Sequence, residues 1–259
     1  MVTSATDGVR FLPASDQTLM VYFGEEISQR THECVVKFLR LLERKPIPVV
    51  RNVHPGYCSV LVKFDALAWT HADLEAMLRG YLARLEEVRI EKPRLVEIPV
   101  CYGGKFGPDL EDVCALHGLT AESAIAAHSG VEYLVYFLGF VPGFGYLGRM
   151  EEGDAEKAAG LRDKRPFETQ GKPALRGIPT TPRLAVPRRL VPAGSVGIAG
   201  AQTGVYPFAT PGGWRLIGRT PMKMFRAMPE ASSVLSIGDR VRFVNISAEQ
   251  FAEMEGAST

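Results

Sequence analysis

The apolar positions follow two regimes. Up to about residue 97, β-branched runs alternate with helical stripes. Thr18 to Phe23, Val49 to Val53 and Ser59 to Phe64 read as strands, and the Pro55-Gly56 pair places a turn between the last two. Ile27 to Leu42 carries Val35, Leu39 and Leu42 on one face of a predicted helix. A second helix is clearer, because Leu74, Met77, Leu78, Tyr81, Leu82 and Leu85 fall at i, i+3, i+4, i+7, i+8 and i+11. Thr70 is placed to cap its free N–H groups, and Asp73 suits the positive end of its dipole. Glu91-Lys92-Pro93-Arg94 interrupts the pattern, and Leu95 to Tyr102 reads as a further strand. One sheet covered by two helices is the economical solution, a small α+β sandwich over residues 1–97.

From residue 98 to 259 the pattern changes. Asp109 to His117 and Thr120 to His128 read as short helices, followed by a nearly continuous apolar run from Tyr133 to Val141. Beyond it come short apolar segments between Gly and Pro: Leu184 to Val186, Ser195 to Ala199, Trp214 to Gly218 and Val241 to Ile246. Short strands with frequent turns predict an all-β sandwich or barrel. Glu151 to Arg176 is polar, charged and aperiodic, which predicts a surface insertion or a mobile loop. The last ten or so residues read as a fraying end.

Composition narrows the function classes. The 259 residues are 46% hydrophobic and 23% charged, with a net charge of +1, ordinary values for a globular protein. No basic block points to nucleic acid or an anionic membrane as partner. Met1 to Arg10 lacks the apolar core of an export signal, and no run approaches the ~18–20 apolar residues that span a bilayer. Cys34, Cys58, Cys101 and Cys114 show neither metal nor disulfide-framework spacing. The five histidines show no metal spacing either, so no metal is expected. Together these features predict a cytoplasmic protein.

Candidate chemistry concentrates in three places. Val191 to Trp214, VPAGSVGIAGAQTGVYPFATPGGW, holds six glycines and three prolines. Two readings are open: the tight corners of a barrel, or a pocket wall (Gly212, Gly213, Trp214) whose N–H groups meet an anion. It is neither a Rossmann fingerprint nor a P-loop, and Ser195 lacks the first Gly of a nucleophile elbow. FLGFVPGFGYLG, from Phe137 to Gly148, places Phe140, Phe144 and Tyr146 beside glycines, either as core packing or as an apolar pocket wall. His128, at the end of a predicted helix, is a candidate general base, or equally a histidine favoured there by the helix dipole.

Read together, these stretches resemble one family, the B subunit of ATP-dependent bacterial 5-oxoprolinase, also described as allophanate hydrolase subunit 1 and including a sporulation-kinase inhibitor. The resemblance is carried by IPVCYGGKFGPDLEDVCALHGL from Ile98 and by the His128 segment running into YFLGFVPGFGYLG. TPRLAVPRRLVPAGSVGIAGAQTGVYPFATPGGWRLIGRTP from Thr181 and SIGDRVRF from Ser236 extend it, and VVRNVHPGYCSVLVKFD adds a looser N-terminal match. It implies a small N-terminal α+β domain followed by a cyclophilin-like β-barrel domain. It also implies a complex with a related C subunit and an A subunit, which opens 5-oxo-L-proline to L-glutamate with hydrolysis of ATP used by the complex.

Such a reaction needs donors for a carboxylate and a phosphate, and a base for water. On the matching positions, Arg183, Arg188, Gln202, Thr203, Tyr206, Arg219 and Thr220 have suitable side chains, the arginines foremost because a guanidinium binds an oxyanion through two parallel bonds. His128 is the candidate base. Glu151 to Gly177 departs from the family pattern. Inhibition of a sensor histidine kinase and carboxyl transfer to an amide such as urea or allophanate are the alternative functions.

Overall fold

Alternate burial along short strands builds the first unit, and hairpin connections order it. The structure is a computed structural model describing residues 8–90, 92–150, 177–227 and 232–257. It divides into two units, Met1–Lys92 and Pro93–Thr259. In the first, β1 (Arg10–Ser15), β2 (Thr18–Tyr22), β3 (Val50–Pro55) and β4 (Ser59–Phe64) form one antiparallel sheet in the order β1-β2-β4-β3. Leu19, Val21, Val60, Val62 and Phe64 point to one face and pack against Val35, Phe38 and Leu41 of α1 (Gln29–Arg44) and Leu74, Leu78 and Leu82 of α2 (His71–Leu82). Thr70 caps α2 as its sequence predicts, and Asp73 completes a capping box: Asp73 N–H donates to Thr70 Oγ1 at 3.2 Å and Thr70 N–H to Asp73 Oδ2 at 2.9 Å. Strand β1 goes beyond the sequence reading. It contains Pro13 and is largely exposed, both tolerable because β1 lies at the sheet edge.

The second unit is a closed barrel. Its strands are β5 (Leu95–Tyr102), β6 (Glu132–Leu138), β7 (Gly145–Arg149), β9 (Ser195–Ala199), β10 (Gln202–Val205), β12 (Arg215–Arg219) and β15 (Arg240–Asn245). They run β10-β7-β6-β15-β5-β12-β9, and β9 closes on β10. The boundary expected between residues 97 and 98 falls inside β5. The structure places the whole strand in the barrel, parallel to β15 from Leu95↔Arg240 to Val100↔Asn245 and antiparallel to β12.

One apolar cluster draws on the strands all round the barrel: Ile98 and Val100, Val135, Leu147, Val196 and Ile198, Val205, Ile217, Val241 and Phe243. Leu110, Val113 and Cys114 of α3 (Leu110–His117) and Ala124 of α4 (Ala121–Ser129) join it. Side chains therefore fill the interior, as expected for a barrel of this strand number.

Two expectations about local structure are corrected. Leu184 to Val186 is not a strand; it lies between Pro182 and Pro187, which lack N–H donors, and is tied down by Leu184 N–H donating to Gly213 O at 2.9 Å. The C-terminal stretch forms α5 (Ala248–Ala257) rather than a frayed end, because Phe251 is buried against Phe106 at a ring separation of 4.7 Å. A ribbon of β8 (Arg188–Val191) and β11 (Thr210–Gly212) and a short pair, β13 (Phe225–Arg226) with β14 (Ser232–Ser233), are the remaining described strands. The insertion read at Glu151 to Arg176 lies outside the described residues.

Charges tie β15 to both of its neighbours, antiparallel β6 and parallel β5. Glu132 on β6 accepts from Arg240 and, at 2.6 Å, from Arg242, while Arg94 Nη2 donates to Asp239 at 2.5 Å. The Glu132 and Arg240 side chains are only 12% and 8% exposed. Removing one charge therefore strands the other in a poorly solvated place. Glu132→Gln is expected to lower the stability of the barrel unit by about 3 kcal/mol in a urea melt; an unchanged midpoint would show that the barrel does not depend on this pair.

Candidate functional site

The barrel carries a second apolar layer on the opposite face of its strands. Phe144, Val191, Ala199, Tyr206, Trp214 and Leu216 form one buried cluster, with Tyr146 packed against it. Adjacent residues on β7 and β12 divide between the two layers: Leu147 and Ile217 face the interior, Tyr146 and Leu216 the outer layer. The rings meet edge to face, Phe144 at 5.2 Å from Tyr206 and 5.4 Å from Trp214.

Glycine makes the layer possible. A Cβ on Gly204 would lie 3.0 Å from Phe144 and 3.2 Å from Trp214, and one on Gly212 would lie 2.5 Å from Tyr206 Oη. Here the glycine-rich stretch serves close approach of aromatic rings, not only the turning of corners.

A charged group borders this layer. Arg188 on β8 donates from Nη2 to Asp109 Oδ1 at 2.6 Å, and Asp109 Oδ2 accepts Leu216 N–H at 2.6 Å. Asp109 is buried and makes no helix-capping bond, so its carboxylate serves Arg188 and β12. Arg188 Nη1 is also buried, and finds no hydrogen-bond partner among the described residues. Burial pushes the Tyr206 phenol up; Trp214 N–H donating to its oxygen and the nearby charges of Arg183 and Arg188 oppose the shift. Burial likewise raises Tyr146, against the pull of Arg183. Arg183 itself is exposed, on a segment held by Arg215 Nε donating to Pro182 O at 3.0 Å. Gly213 lies against Pro187, beside the ribbon.

Phe140 stands over the layer. It is 58% exposed, its φ of 68° lies in the left-handed region, and its ring is 6.4 Å from that of Tyr206. A bulky residue held in this conformation stores about 1–3 kcal/mol of strain.

His128 lies elsewhere. It is buried in the barrel core, stacked on Phe243 at 4.5 Å. Thr203 Oγ1 donates to Gly197 O at 3.0 Å, so it accepts from His128 Nε2–H at 2.9 Å, which leaves Nδ1 to accept the Tyr102 hydroxyl at 2.7 Å. Both nitrogens are thus engaged by protein, and burial lowers the pKa to about 3. A neutral imidazole enclosed in this way joins α4 to β5 and β10, and offers no nitrogen to a water molecule.

The sequence-derived candidates therefore separate into three groups. Phe140, Phe144, Tyr146, Arg183, Arg188, Tyr206, Gly212, Gly213 and Trp214 gather on the outer layer. His128 and Thr203 belong to the core. Arg219 donates from Nε to Ala193 O at 2.9 Å and lies over Phe251 of α5, while Thr220 is buried and accepts Met222 N–H at 3.2 Å. Gln202 pairs through its backbone with Ala199 and Gly148. Sequence reasoning missed Asp109, whose place at a helix start resembles an ordinary cap, and Tyr102, which resembles any strand aromatic. Among the described residues no group of three or more His, Cys, Asp or Glu side chains could hold a metal ion, and no helix is long and apolar enough to cross a membrane.

The histidine makes the fold sensitive to acid. Its folded pKa lies below the unfolded value near 6.5, so the unfolded chain takes up the proton first as pH falls. Stability is complete above about pH 6.5 and is lost at up to about 1.4 kcal/mol per pH unit from there toward pH 3. Urea melts followed by Trp214 fluorescence in a Trp69→Phe background, which reports on the barrel unit and not on buried His32 of the first unit, are expected to show this slope, and His128→Gln to flatten it. An equal slope in the variant would assign the acid sensitivity to other groups.

Comparison with known proteins agrees with this architecture. The family model described as "Carboxyltransferase domain, subdomain C and D" matches residues 9–158 and 170–235, so that only residues 159–169 of the expected departure lie outside it. A Bacillus subtilis protein named as the B subunit of 5-oxoprolinase is 39% identical over 246 residues, covering 91% of this chain and 92% of its own length. The crystal structure of TTHA0988 is 31% identical with a TM-score of 0.67 over 90% of this chain, which spans 40% of that longer chain. The Kluyveromyces lactis urea amidolyase is 17% identical with a TM-score of 0.70, covering 95% of this chain and 15% of the amidolyase, and shares the fold. With a carboxyltransferase-type barrel, a preceding α+β unit and a relative this similar along nearly its whole length, the chain belongs to the 5-oxoprolinase B-subunit family.

Proposed function

We propose that this chain works in the cytoplasm as the B subunit of an ATP-dependent complex that opens 5-oxo-L-proline to L-glutamate together with an A subunit and a homologous C subunit. The observation that carries the reading is the Bacillus subtilis relative of that name, alike over 92% of its length. A lactam amide resists water, and ATP supplies the phosphoryl group that turns its carbonyl oxygen into a leaving group. The part left to this chain is to bind and orient an acid. Arg183 and Arg188 have the charge for a carboxylate, and Phe144, Tyr206 and Trp214 supply a rigid floor beside them.

His128 takes a positioning role in this reading, holding β10 and α4, and the base that activates water comes from another residue or another polypeptide of the complex. Arg219 and Thr220 hold the barrel end near α5 rather than the acid. The family model's description favours one second reading, carboxyl transfer from a biotin-bearing partner to an amide.

Reconstitution with the A and C subunits separates the two. The expected result is glutamate formed from 5-oxo-L-proline only when ATP and this chain are both present, without added bicarbonate or biotin protein. Full turnover in the absence of this chain would contradict the assignment, and a requirement for bicarbonate would favour carboxyl transfer.

A further inference from the structure

We infer that Arg188 is a preset oxyanion-binding group of a small-acid site on the outer aromatic layer, with Phe140 as the apolar wall of that site. The inference deepens the proposed function and rests on it only for the identity of the acid. Three independent features converge on Tyr206.

The first is the half-satisfied guanidinium. One arm of Arg188 is fixed by buried Asp109, whose other oxygen is fixed by Leu216 N–H, so the guanidinium cannot swing away without breaking its own 2.6 Å bond and leaving the anchored carboxylate without its counter-charge. The other arm, Nη1, is buried without a partner among the described residues. An unmet buried donor costs free energy unless something accepts from it. Because Asp109 already uses Nη2, the ligand meets Arg188 through one oxygen, and the exposed Arg183 supplies a second positive charge beside the same tyrosines.

The second is the strained Phe140. Its left-handed backbone holds an exposed ring next to Tyr206, where glycine would cost nothing in strain. A ring kept there at a cost in stability and left 58% exposed fits contact with an apolar body. The third is the rigid floor, in which the buried Tyr206 ring packs edge to face on Phe144, itself edge-on to Trp214, and its hydroxyl lies against Gly212. An anion on one side and an apolar wall on the other select a compact molecule with a single oxyanion and a small ring, such as a cyclic amino-acid lactam. A phosphoryl oxygen offers the same chemistry to Arg188.

Isothermal titration of the full-length chain with 5-oxo-L-proline, with 2-pyrrolidinone (the same ring without the carboxylate) and with inorganic phosphate tests the site without any turnover. Saturable binding of 5-oxo-L-proline, weaker by at least about tenfold for 2-pyrrolidinone, is expected. Arg188→Lys keeps a cation beside Asp109 and removes the second nitrogen, so it should weaken binding by about 10–100-fold with little loss of thermal midpoint. Phe140→Gly relieves the backbone and should weaken binding about tenfold without loss of stability. Should Arg188→Lys unfold the chain, the exposed Arg183→Ala provides the charge test. Phosphate binding that is lost in Arg188→Lys would support the oxyanion site and assign it to a phosphoryl group.

Absence of wild-type binding to both acid and phosphate, or binding unchanged in Arg188→Lys and Phe140→Gly, would overturn the inference. An inactive complex in which this chain still binds the acid through Arg188 would sink the proposed function and leave the site; an active complex indifferent to Arg188→Lys would do the reverse.

Discussion

A barrel whose interior is already packed has nowhere inside for a substrate, and the rest of this structure follows from that constraint. Ile98, Val135, Leu147, Val196, Val205, Ile217, Val241 and Phe243 occupy the volume enclosed by the strands. Helices α3 and α4 add Val113 and Ala124 to the same core. Any chemistry must therefore be staged on the outer face. The sequence meets that requirement by placing small residues where outer side chains would otherwise stand. Gly197, Gly204 and Gly212 leave room for Trp214, Phe144 and Tyr206, and the barrel gains a second aromatic layer.

The two layers handle polar groups in opposite ways. Inside, every polar atom of the His128 side chain is matched: Tyr102 donates, Thr203 accepts, and burial keeps the ring neutral. The result is a rigid joint with no capacity to spare. Outside, Asp109 fixes only half of Arg188. A group that is held in place but incompletely satisfied is suited to binding, because its orientation is settled before the ligand arrives. Phe140 extends the contrast to the backbone, where strain persists beside the layer rather than in the core.

Much of the fold was legible in the sequence because it rests on local signals. The i, i+4 stripe from Leu74 to Leu82 and the Thr70 cap defined α2, with Leu85 falling on a separate short 3-10 turn, and frequent Gly and Pro announced the barrel. What was not legible depends on distant partners. Strand β5 looks like any strand, and only its pairing with β15, some 145 residues on, and with β12 puts all of it in the barrel. The edge strand β1 hides behind Pro13. The candidate site was legible as a set of residue types, not as a place. Arg188, Arg183, Tyr206 and the aromatics come together, while Arg219 and His128 satisfy other structural needs. Asp109 escaped notice because a carboxylate at a helix start has an ordinary explanation, and only the fold reveals that it faces an arginine 79 residues away.

Structure determination of the chain with bound 5-oxo-L-proline tests the central claim most directly. The account predicts a carboxylate oxygen within hydrogen-bond distance of Arg188 Nη1 and the lactam ring against Phe140. Density for the acid in contact with His128, or anywhere remote from the Tyr206 face, would contradict it.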